Sequence, residues 1–541
     1  MPGLCGFIAR GQEPPQKQLQ EILGSLRHHP NHHALPAFSD QNIAAGLVLR
    51  QPHHGGTHWR GPNGIQVWID GEAFDDQGPM PGGELAEQLA SGISRVWNGA
   101  FAAVIYDPAA GKLHFITDPY GLKYLYLRME GVPAWSGELR GFLNLPGDLL
   151  QFDHACLKQF LEHGHPLGGT TWFSGVQLLG PGLRLTHDLK SGQWVREQYF
   201  TLENQQVSGT PSWDATVAEL GNLFRKAVTR RCGHGDNLGV TLSGGLDSRA
   251  ILAAIPRNAP APETLTFGKP GCADEAIAKA AAILRGSSHT FVPLGGEGWL
   301  EARAKDVIQT DGHINILDLH GMESFPTLEA RMDICLNGFL GDGLLGGRWT
   351  AFPVQNTGGP ASRFMTRYVD RGRRFILQAL HHSGTSLVYR LPFLDTLLMA
   401  KTLSLPDAWL RDSRIYRAML LREFPEFFDS LPWEKTGLPI SASRWRERWA
   451  VKMRGLRRRL KIGNDGYTDY SQWLREGSAA DFLRARLSSG SRIGRLLAPG
   501  ELENRMQRHF QGHDESMILG RYLTAEIWLA FIQEQDIPYE N

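Results

Sequence analysis

The chain has 541 residues, with 56 basic and 56 acidic side chains and 42% apolar residues. This length exceeds what one hydrophobic core usually organises, so two or three domains are expected. The balanced charge gives no electrostatic reason to expect a nucleic-acid or membrane-surface partner. No apolar run reaches the roughly 20 residues of a membrane helix, and the N-terminus lacks a secretory signal. Five scattered cysteines argue against a disulfide scaffold or a zinc ribbon and favour a cytoplasmic location.

The first 200 residues have the composition of strands and turns. Residues 64–73, 100–118 and 182–188 mix β-branched and aromatic side chains with Gly, Pro and Asp. This pattern predicts strands joined by turns, with few long helices.

The pattern changes near Ser212, where apolar residues take up helical spacing as far as Cys232. Short apolar strands then alternate with helices, which predicts a parallel sheet covered by helices. We therefore predict a two-domain α/β protein with a boundary near residues 201–212, dividing the chain into residues 1–205 and 206–541. The alternating segments are strand 237–242, helix 248–255, strand 263–268, helix 274–286 and strand 289–294.

A basic run covers residues 444–461 and has helical spacing. A solvated helix face is the simpler interpretation of such a run, and a binding surface is the alternative.

The most informative stretch is Leu242–Ser248, which reads LSGGLDS between a predicted strand and a predicted helix. Glycines let backbone amides approach phosphate closely, and the start of the helix adds donors. Ser243 and Ser248 supply hydroxyl groups. Asp247 would repel phosphate directly, and a bridging Mg²⁺ resolves this conflict. The stretch lacks the lysine of GxxxxGK[ST] and is not GxGxxG, so a kinase-like or GTPase-like loop is excluded and a dinucleotide site is disfavoured. A tight turn without a ligand is the remaining alternative.

SGGLDS after a strand resembles the loop of ATP pyrophosphatases, which cleave ATP between the α and β phosphates. Further stretches resemble the asparagine synthetase family in the family's order. Residues 96–107, 117–127, 135–143 and 171–185 resemble its N-terminal glutaminase-type domain, which implies an Ntn-hydrolase-like α+β sandwich. Residues 266–275, 336–347, 389–395 and 432–437 resemble its synthetase domain, which implies an ATP-pyrophosphatase sheet followed by a helical C-terminal part.

The resemblance implies ATP and Mg²⁺ as cofactors and a reaction in which an adenylated carboxylate is attacked by an amine. Phe267 and Gly338 match positions that hold adenosine, and Asp247 and Asp342 match the magnesium carboxylates. Lys435 matches a lysine that stabilises charge at the acyl centre; a surface lysine is the alternative, as is a loop-capping role for Asp342. The positions that match the ATP loop are Leu242, Ser243, Gly244, Gly245, Asp247 and Ser248.

The first domain departs from the pattern of an active glutaminase. Such enzymes use an N-terminal cysteine whose own α-amine activates the thiol, whereas Cys5 here lies behind Pro2. The oxyanion pair Asn-Gly is replaced by Asp70-Gly71, and a carboxylate repels an oxyanion. We therefore predict a retained domain without glutaminase activity, in which Cys5 is a buried apolar side chain.

The synthetase half departs as well, because Phe339 occupies the position of a glutamate in asparagine-forming enzymes. Phenylalanine cannot transfer a proton, so a different nucleophile is expected. β-Lactam synthetases carry Tyr at this position, which disfavours them. The favoured prediction is a lasso peptide cyclase, which would adenylate an Asp or Glu side chain of a precursor peptide for attack by the peptide's N-terminal amine. A protease and a leader-binding protein would be its partners. An amidotransferase using ammonia or a small amine, and an inactive binding protein, are the alternatives.

Overall fold

The computed structural model describes residues 3–9, 15–50, 55–93, 95–145, 150–202, 212–233, 237–350, 359–383, 387–459, 466–535 and 537. The predicted domain boundary near 201–212 falls largely on residues 203–211, which lie outside these ranges.

The first part of the chain forms two antiparallel sheets. The first sheet has the order β11-β9-β10-β1-β4-β2 with β3 also paired to β4, and the second has the order β13-β12-β8-β7-β6-β5. Predicted strand segments 64–73 and 182–188 are confirmed, and segment 100–118 is the hairpin β7–β8. The strands are β1 (Leu4–Ile8), β2 (His32–Ala34), β3 (Phe38–Ser39), β4 (Ile43–Arg50), β5 (Thr57–Arg60), β6 (Gln66–Phe74), β7 (Asn98–Asp107), β8 (Lys112–Thr117), β9 (Tyr126–Arg128), β10 (Ala134–Ser136), β11 (Val176–Leu178), β12 (Leu183–Asp188) and β13 (Trp194–Gln198).

The two sheets pack face to face, and helices cover their outer faces. Leu47 and Trp135 of the first sheet share a buried apolar cluster with Trp68 and Val104 of the second. Helices α1 (Pro15–Leu26) and α2 (Gly82–Ala90) pack against the outer faces of the first and second sheets, and α3 (His154–His163) follows them. This layering is that of an α+β sandwich.

The second part of the chain contains a five-stranded parallel sheet of order β16-β15-β14-β17-β18, as the strand–helix alternation predicts. A π-helical stretch, Tyr368–Ile376, lies between α10 and α11. The elements are α4 (Trp213–Cys232), β14 (Leu238–Thr241), α5 (Asp247–Ala254), β15 (Glu263–Gly268), α6 (Ala273–Arg285), β16 (His289–Pro293), α7 (Trp299–Gln309), α8 (Phe325–Glu329), β17 (Ile334–Leu336), α9 (Gly341–Leu344), α10 (Pro360–Arg367), α11 (Leu377–Ser383) and β18 (Val388–Arg390).

Helices make up the rest of the described chain, so the predicted two-domain α/β fold with a helical C-terminal part is confirmed. Within the described ranges, none of the helices has the length and apolar character needed to cross a membrane. The helices are α12 (Thr396–Leu403), α13 (Asp407–Leu410), α14 (Arg414–Glu423), α15 (Pro425–Phe428), α16 (Arg444–Arg459), α17 (Tyr470–Trp473), α18 (Gly477–Arg486), α19 (Arg492–Leu496), α20 (Glu501–Phe510) and α21 (Ser516–Gln533).

Candidate active site

The site predicted from sequence lies where the strand order of the parallel sheet reverses. The chain moves outward from β14 to β15 and β16, and then returns to place β17 on the other side of β14. In such sheets, ligands bind beyond the carboxyl ends of the strands at this point of reversal. Leu242–Ser248 follows β14 and residues 337–342 follow β17, so the fold brings these two distant segments together.

The loop Leu242–Ser248 is held by its own hydroxyl groups. The amide of Ser243 donates to the hydroxyl of Ser248 at 3.1 Å, and the amide of Gly245 donates to the hydroxyl of Ser243 at 3.2 Å. The amide of Gly244 donates to Asp274 at 2.6 Å. Helix α5 begins at Asp247, so the unpaired amides of its first turn lie beside the loop. This is the local geometry of a phosphate-binding turn.

Because Gly244 has no side chain, the segment that carries Lys435 can pack closely against the loop Leu242–Ser248. A Cβ atom at this position would lie 2.6 Å from Cβ of Glu434. The amide of Glu434 donates to the carbonyl of Gly244 at 3.0 Å. The segment that carries Lys435 therefore packs directly on the phosphate loop, although it lies far away in sequence.

Asp247 is the most perturbed carboxylate at the site. Tyr416 donates a hydrogen bond to one carboxylate oxygen at 2.9 Å, and the amide of Asp342 donates to the other at 2.8 Å. Burial and the nearby Asp342 charge nevertheless raise the pKa of Asp247 to about 7. A carboxylate whose ionisation is disfavoured by burial and by a neighbouring carboxylate is a favourable environment for a cation.

Asp342 lies at the start of the short helix α9, and its side chain is 54% exposed. Arg348 is its ion-pair partner, with 3.6 Å between the guanidinium and the carboxylate. Glycines on the approach to α9 allow the two carboxylates to come close. A Cβ at Gly341 would lie 2.4 Å from the carboxyl carbon of Asp247, and one at Gly338 would lie 2.9 Å from its Cβ.

A cleft of about 480 Å³ opens beside these carboxylates. Phe339 forms part of its wall and is 5% exposed, so an apolar surface occupies the glutamate position of asparagine-forming enzymes. The cleft also contains Asp247, Phe267, Gly338 and Asp342, so these four predicted site residues lie together. Their predicted roles in binding ATP and magnesium stay predictions. Other side chains lining it are Asp318, His320, Met322, Phe325, Leu328, Trp349, Arg371, Leu380, His382 and Tyr389.

Lys435 lies in a second cleft, of about 730 Å³, that shares Asp342 and Arg348 with the first. Its ammonium group lies 5.1 Å from the ring centre of Trp433, and its side chain is exposed. The structure thus places Lys435 in a cleft that Asp342 also lines, and outside the apolar cleft.

The carboxylates of Asp247 and Asp342 suit an Mg²⁺ ion that would be bound by the protein and a nucleotide together. Within the described residues, no group of three or more His, Cys, Asp or Glu side chains forms a metal site by itself. Mg²⁺ is commonly held by one or two carboxylates with substrate phosphates and water completing its octahedron. Asp247 and Asp342 supply that number of carboxylates beside the phosphate loop.

The first domain contains Cys5 as the second residue of strand β1, fully buried, as the sequence predicts. Its thiol contacts the carbonyl of Gly46 at 3.8 Å, and burial raises the pKa of Cys5 to about 12. Asp70 pairs with Lys123 at 3.2 Å between the carboxylate and the ammonium group. The ion pair offsets the Asp70 charge, so direct repulsion of an oxyanion is weaker than the sequence implies. Asp70 still lacks the side-chain amide that would donate a hydrogen bond to an oxyanion.

The two domains meet at a cavity of about 80 Å³ that is lined by Asp70, Glu72, Lys123 and Arg390, among other residues. Arg390 at the end of β18 forms a two-pronged ion pair with Glu72 of β6, at 2.7 and 2.9 Å. Two ion pairs, Arg390 with Glu72 and Lys123 with Asp70, thus line this cavity.

Sequence reasoning missed several residues that shape the site. Tyr416 gave no signal, because a tyrosine on an ordinary amphipathic helix has no distinctive pattern. Asp274 lies in the quoted segment 266–275, and its acidic side chain next to a glycine-rich loop was a usable signal. Arg348 and His320 also face the cleft. Burial lowers the pKa of His320 to about 4, so its imidazole is neutral at physiological pH.

Comparison with known proteins agrees with this layout. Residues 85–200 match the model of the glutamine amidotransferase domain, and residues 219–370 match the model of asparagine synthase. The chain is similar to asparagine synthetase [glutamine-hydrolyzing] 3 of Bacillus subtilis, with 32% identity over 29% of this chain and 25% of that protein. It is also similar to an asparagine synthetase [glutamine-hydrolyzing] of Gallus gallus, with 25% identity over 40% of this chain and 38% of that protein.

These matches show a region similar to the glutamine amidotransferase domain, followed by a region similar to asparagine synthase. The aligned part of the chain spans between 25% and 38% of the length of these two relatives. Among solved structures, an NH3-dependent NAD synthetase from Campylobacter jejuni aligns with 12% identity and a TM-score of 0.22, covering 56% of this chain and 97% of that chain, a likeness too weak to support a conclusion. The relatives named are asparagine synthetases, so the narrower prediction of a lasso peptide cyclase stays a prediction.

Proposed function

We propose that the chain is an ATP-dependent ligase that forms an amide bond through an acyl-adenylate. The supporting observation is that Asp247 and Asp342 lie together beside a glycine-rich loop, and that Asp342 shares a cleft with Lys435. Mg²⁺ held by the two carboxylates would offset the charge of departing pyrophosphate. Lys435 would stabilise negative charge at the acyl centre and the phosphate. AMP and pyrophosphate are the expected nucleotide products.

We further propose that the acyl group and the attacking amine belong to one peptide, as in a lasso peptide cyclase. Phe339 supports this assignment, because it gives the cleft an apolar wall where a proton-transferring glutamate would serve ammonia. Met322, Phe325, Leu328 and Trp349 extend that wall. A cleft of this character suits a peptide whose two ends are held together, since holding reactants in place is a large part of the catalysis of ring closure.

The protonated Cys5 thiol and the Asp70 carboxylate of the first domain are consistent with a reaction that needs no glutamine. Cys5 is buried with a raised thiol pKa, and the Asp70 carboxylate stands where an amide donor is expected. A cyclase would draw on a precursor peptide, with a protease and a leader-binding protein as partners.

Amide formation with ammonia or another small amine is the second candidate. Asp318 and Arg371 favour it, because they place opposite charges in the same cleft, where they suit the amino and carboxylate groups of a free amino acid. Ammonia from solution would replace ammonia from glutamine in this reaction.

The test uses the full chain with ATP, Mg²⁺ and linear peptides that carry a free N-terminal amine and an internal Asp or Glu. A cyclase releases AMP and yields a product lighter by one water, while the N-acetylated peptide yields none. Conversion of aspartate and ammonia to asparagine, without peptide dehydration, would instead support the second candidate. Release of ADP and phosphate contradicts both.

A further inference from the structure

Helix α16 (Arg444–Arg459) exposes large apolar side chains to solvent. Trp445 is 70% exposed, Trp449 is 64% exposed and Leu456 is 47% exposed. These are the two tryptophans with largely exposed side chains in the described part of the chain. Their spacing, with Lys452 between Trp449 and Leu456, places them along one side of the helix. An exposed apolar stripe of this kind marks an interaction surface.

The same helix carries a strong local charge in a chain whose total charge is balanced. Its sequence contains eight Arg or Lys residues and a single acidic residue, Glu447. Arg446, Arg448 and Lys452 are exposed beside the tryptophans. Aromatic and arginine side chains are the residue types that contribute most to protein-binding surfaces, and a positive field favours an acidic partner.

The opposite side of α16 is anchored to the synthetase domain. Glu447 pairs with Arg417 of α14 at 3.1 Å. Arg454 donates to the carbonyl of Glu434, the residue whose amide contacts Gly244 of the phosphate loop. The helix is therefore fixed in orientation, and its apolar stripe stays exposed beside the catalytic segment.

A third side of α16 borders the second cleft, which contains Lys435. Arg448 and Val451 line the same cleft of about 730 Å³ as Asp342 and Lys435. A polypeptide bound along the tryptophan stripe would therefore lie on the same helix that borders the cleft of Asp342 and Lys435.

We propose that α16 is the docking surface for an acidic segment of the polypeptide substrate, one that interleaves acidic with apolar side chains. The proposal rests on the function proposed above and extends it to substrate recognition. A polypeptide fits better than a membrane because a flat bilayer cannot enter the cleft that the helix borders. It fits better than a nucleic acid because the whole chain carries balanced charge, 56 basic against 56 acidic side chains, without the net positive charge usual in nucleic-acid-binding domains.

The test measures binding of a short fluorescein-labelled peptide of alternating Glu and Leu or Tyr to the full chain, by fluorescence anisotropy without ATP. The double variant Arg448→Glu/Lys452→Glu should weaken binding about tenfold or more, and Trp445→Ala/Trp449→Ala about fivefold. The matched charge control is Lys190→Glu/Arg196→Glu, at two exposed residues of the first domain, which should bind like the parent. Binding should also weaken with added salt.

Because this measurement involves no turnover, it separates failure of docking from failure of the proposed reaction. The thermal transition of each variant checks folding, and the tryptophan variant serves if the charge reversal unfolds the chain. Equal binding to parent and α16 variants overturns the proposal, as does absence of binding to the acidic peptide. Tighter binding to anionic phosphatidylserine vesicles or to an oligo-dT strand than to the peptide overturns it in favour of a membrane or nucleic-acid surface. A second peptide has Gln in place of every Glu. If it binds as strongly as the acidic peptide, the proposal that the docked segment is acidic is overturned.

Discussion

At the scale of single residues, the site is dominated by a carboxylate held where ionisation is unfavourable. Asp247 is half-buried at the edge of the cleft and faces Asp342, and two neutral donors, Tyr416 and a backbone amide, offset part of its charge. A protein keeps such a group at a cost in stability when the group serves a ligand.

The first prediction concerns the pH dependence of stability. The pKa of Asp247 is about 7 in the folded chain, above its ordinary value of 3.8, so the folded state retains a proton that the unfolded state has lost between these two values. The parent should therefore lose stability relative to Asp247→Asn as pH rises from 5 to 7, by about 2 kcal/mol, and the difference should level off above about pH 8. Thermal melts without nucleotide or metal, at pH 5, 7 and 8, measure it. If the difference in stability between the parent and Asp247→Asn does not change with pH, the pKa of Asp247 is not raised in the folded chain.

The second prediction concerns Cys5. With a pKa of about 12, its thiol is ionised in only about one molecule in ten thousand at pH 8, and it is fully buried. Native protein treated with iodoacetamide should remain unmodified at Cys5 by peptide mass analysis, while urea-unfolded protein should react. Cys5→Ala should leave AMP release unchanged. Glutamate formation from glutamine that depends on Cys5 would show that the first domain is active.

At the scale of elements, short connections decide whether the site exists. Helix α9 has only four residues, and Leu340 before it adopts a left-handed backbone with φ of 69°. This conformation is uncommon for a leucine, and it turns the chain so that the amide of Asp342 points at Asp247.

The third prediction tests this connection. In Gly341→Ala the new methyl group would lie 2.4 Å from the carboxyl carbon of Asp247, so one carboxylate must move. Affinity for Mg-ATP should fall about tenfold or more while the chain stays folded. The matched control is Gly295→Ala, where a Cβ meets nothing within 4 Å. Isothermal titration with Mg-ATP measures the affinity of both variants. Equal affinities would show that the close contact between residue 341 and Asp247 does not affect nucleotide binding.

At the scale of the whole molecule, charged side chains join the two domains. Glu72 and Arg390 form a largely buried pair, and Arg231 of α4 contacts both Asn98 of β7 and Asp395. The apolar core behind the first sheet also continues into the second domain. The first domain is thus part of the structure that positions β18, whatever its own activity.

The fourth prediction concerns this interface. Arg390→Met leaves the Glu72 charge buried without its partner and should destabilise the chain by about 3 kcal/mol, and adding Glu72→Gln should restore part of the loss. The control is Arg257→Met, which breaks an exposed pair with Glu426 and should cost under about 0.5 kcal/mol. The midpoint of urea unfolding, followed by tryptophan fluorescence, measures each variant. Equal midpoints for Arg390→Met and the control would contradict a stabilising interface.

The sequence by itself determined the elements whose pattern is local. The strand–helix alternation after Ser212, the hairpin over residues 100–118 and the glycine-rich loop all followed from spacing and residue type, because each pattern is set by neighbours in the chain. The burial of Cys5 was also predictable. Helix α21 was not predicted, since it is buried on nearly every side and shows little of the amphipathic periodicity by which helices are recognised.

Only the tertiary structure decided which distant residues meet. The reversal of strand order places the ends of β14 and β17 side by side, and close packing at Gly244 carries the Lys435 segment onto the phosphate loop. The Tyr416 contact with Asp247, the Lys123 contact with Asp70 and the exposed stripe on α16 arise in the same way. Such contacts depend on packing between elements, and no local pattern encodes them, because each residue's partner is chosen by the fold of the entire chain.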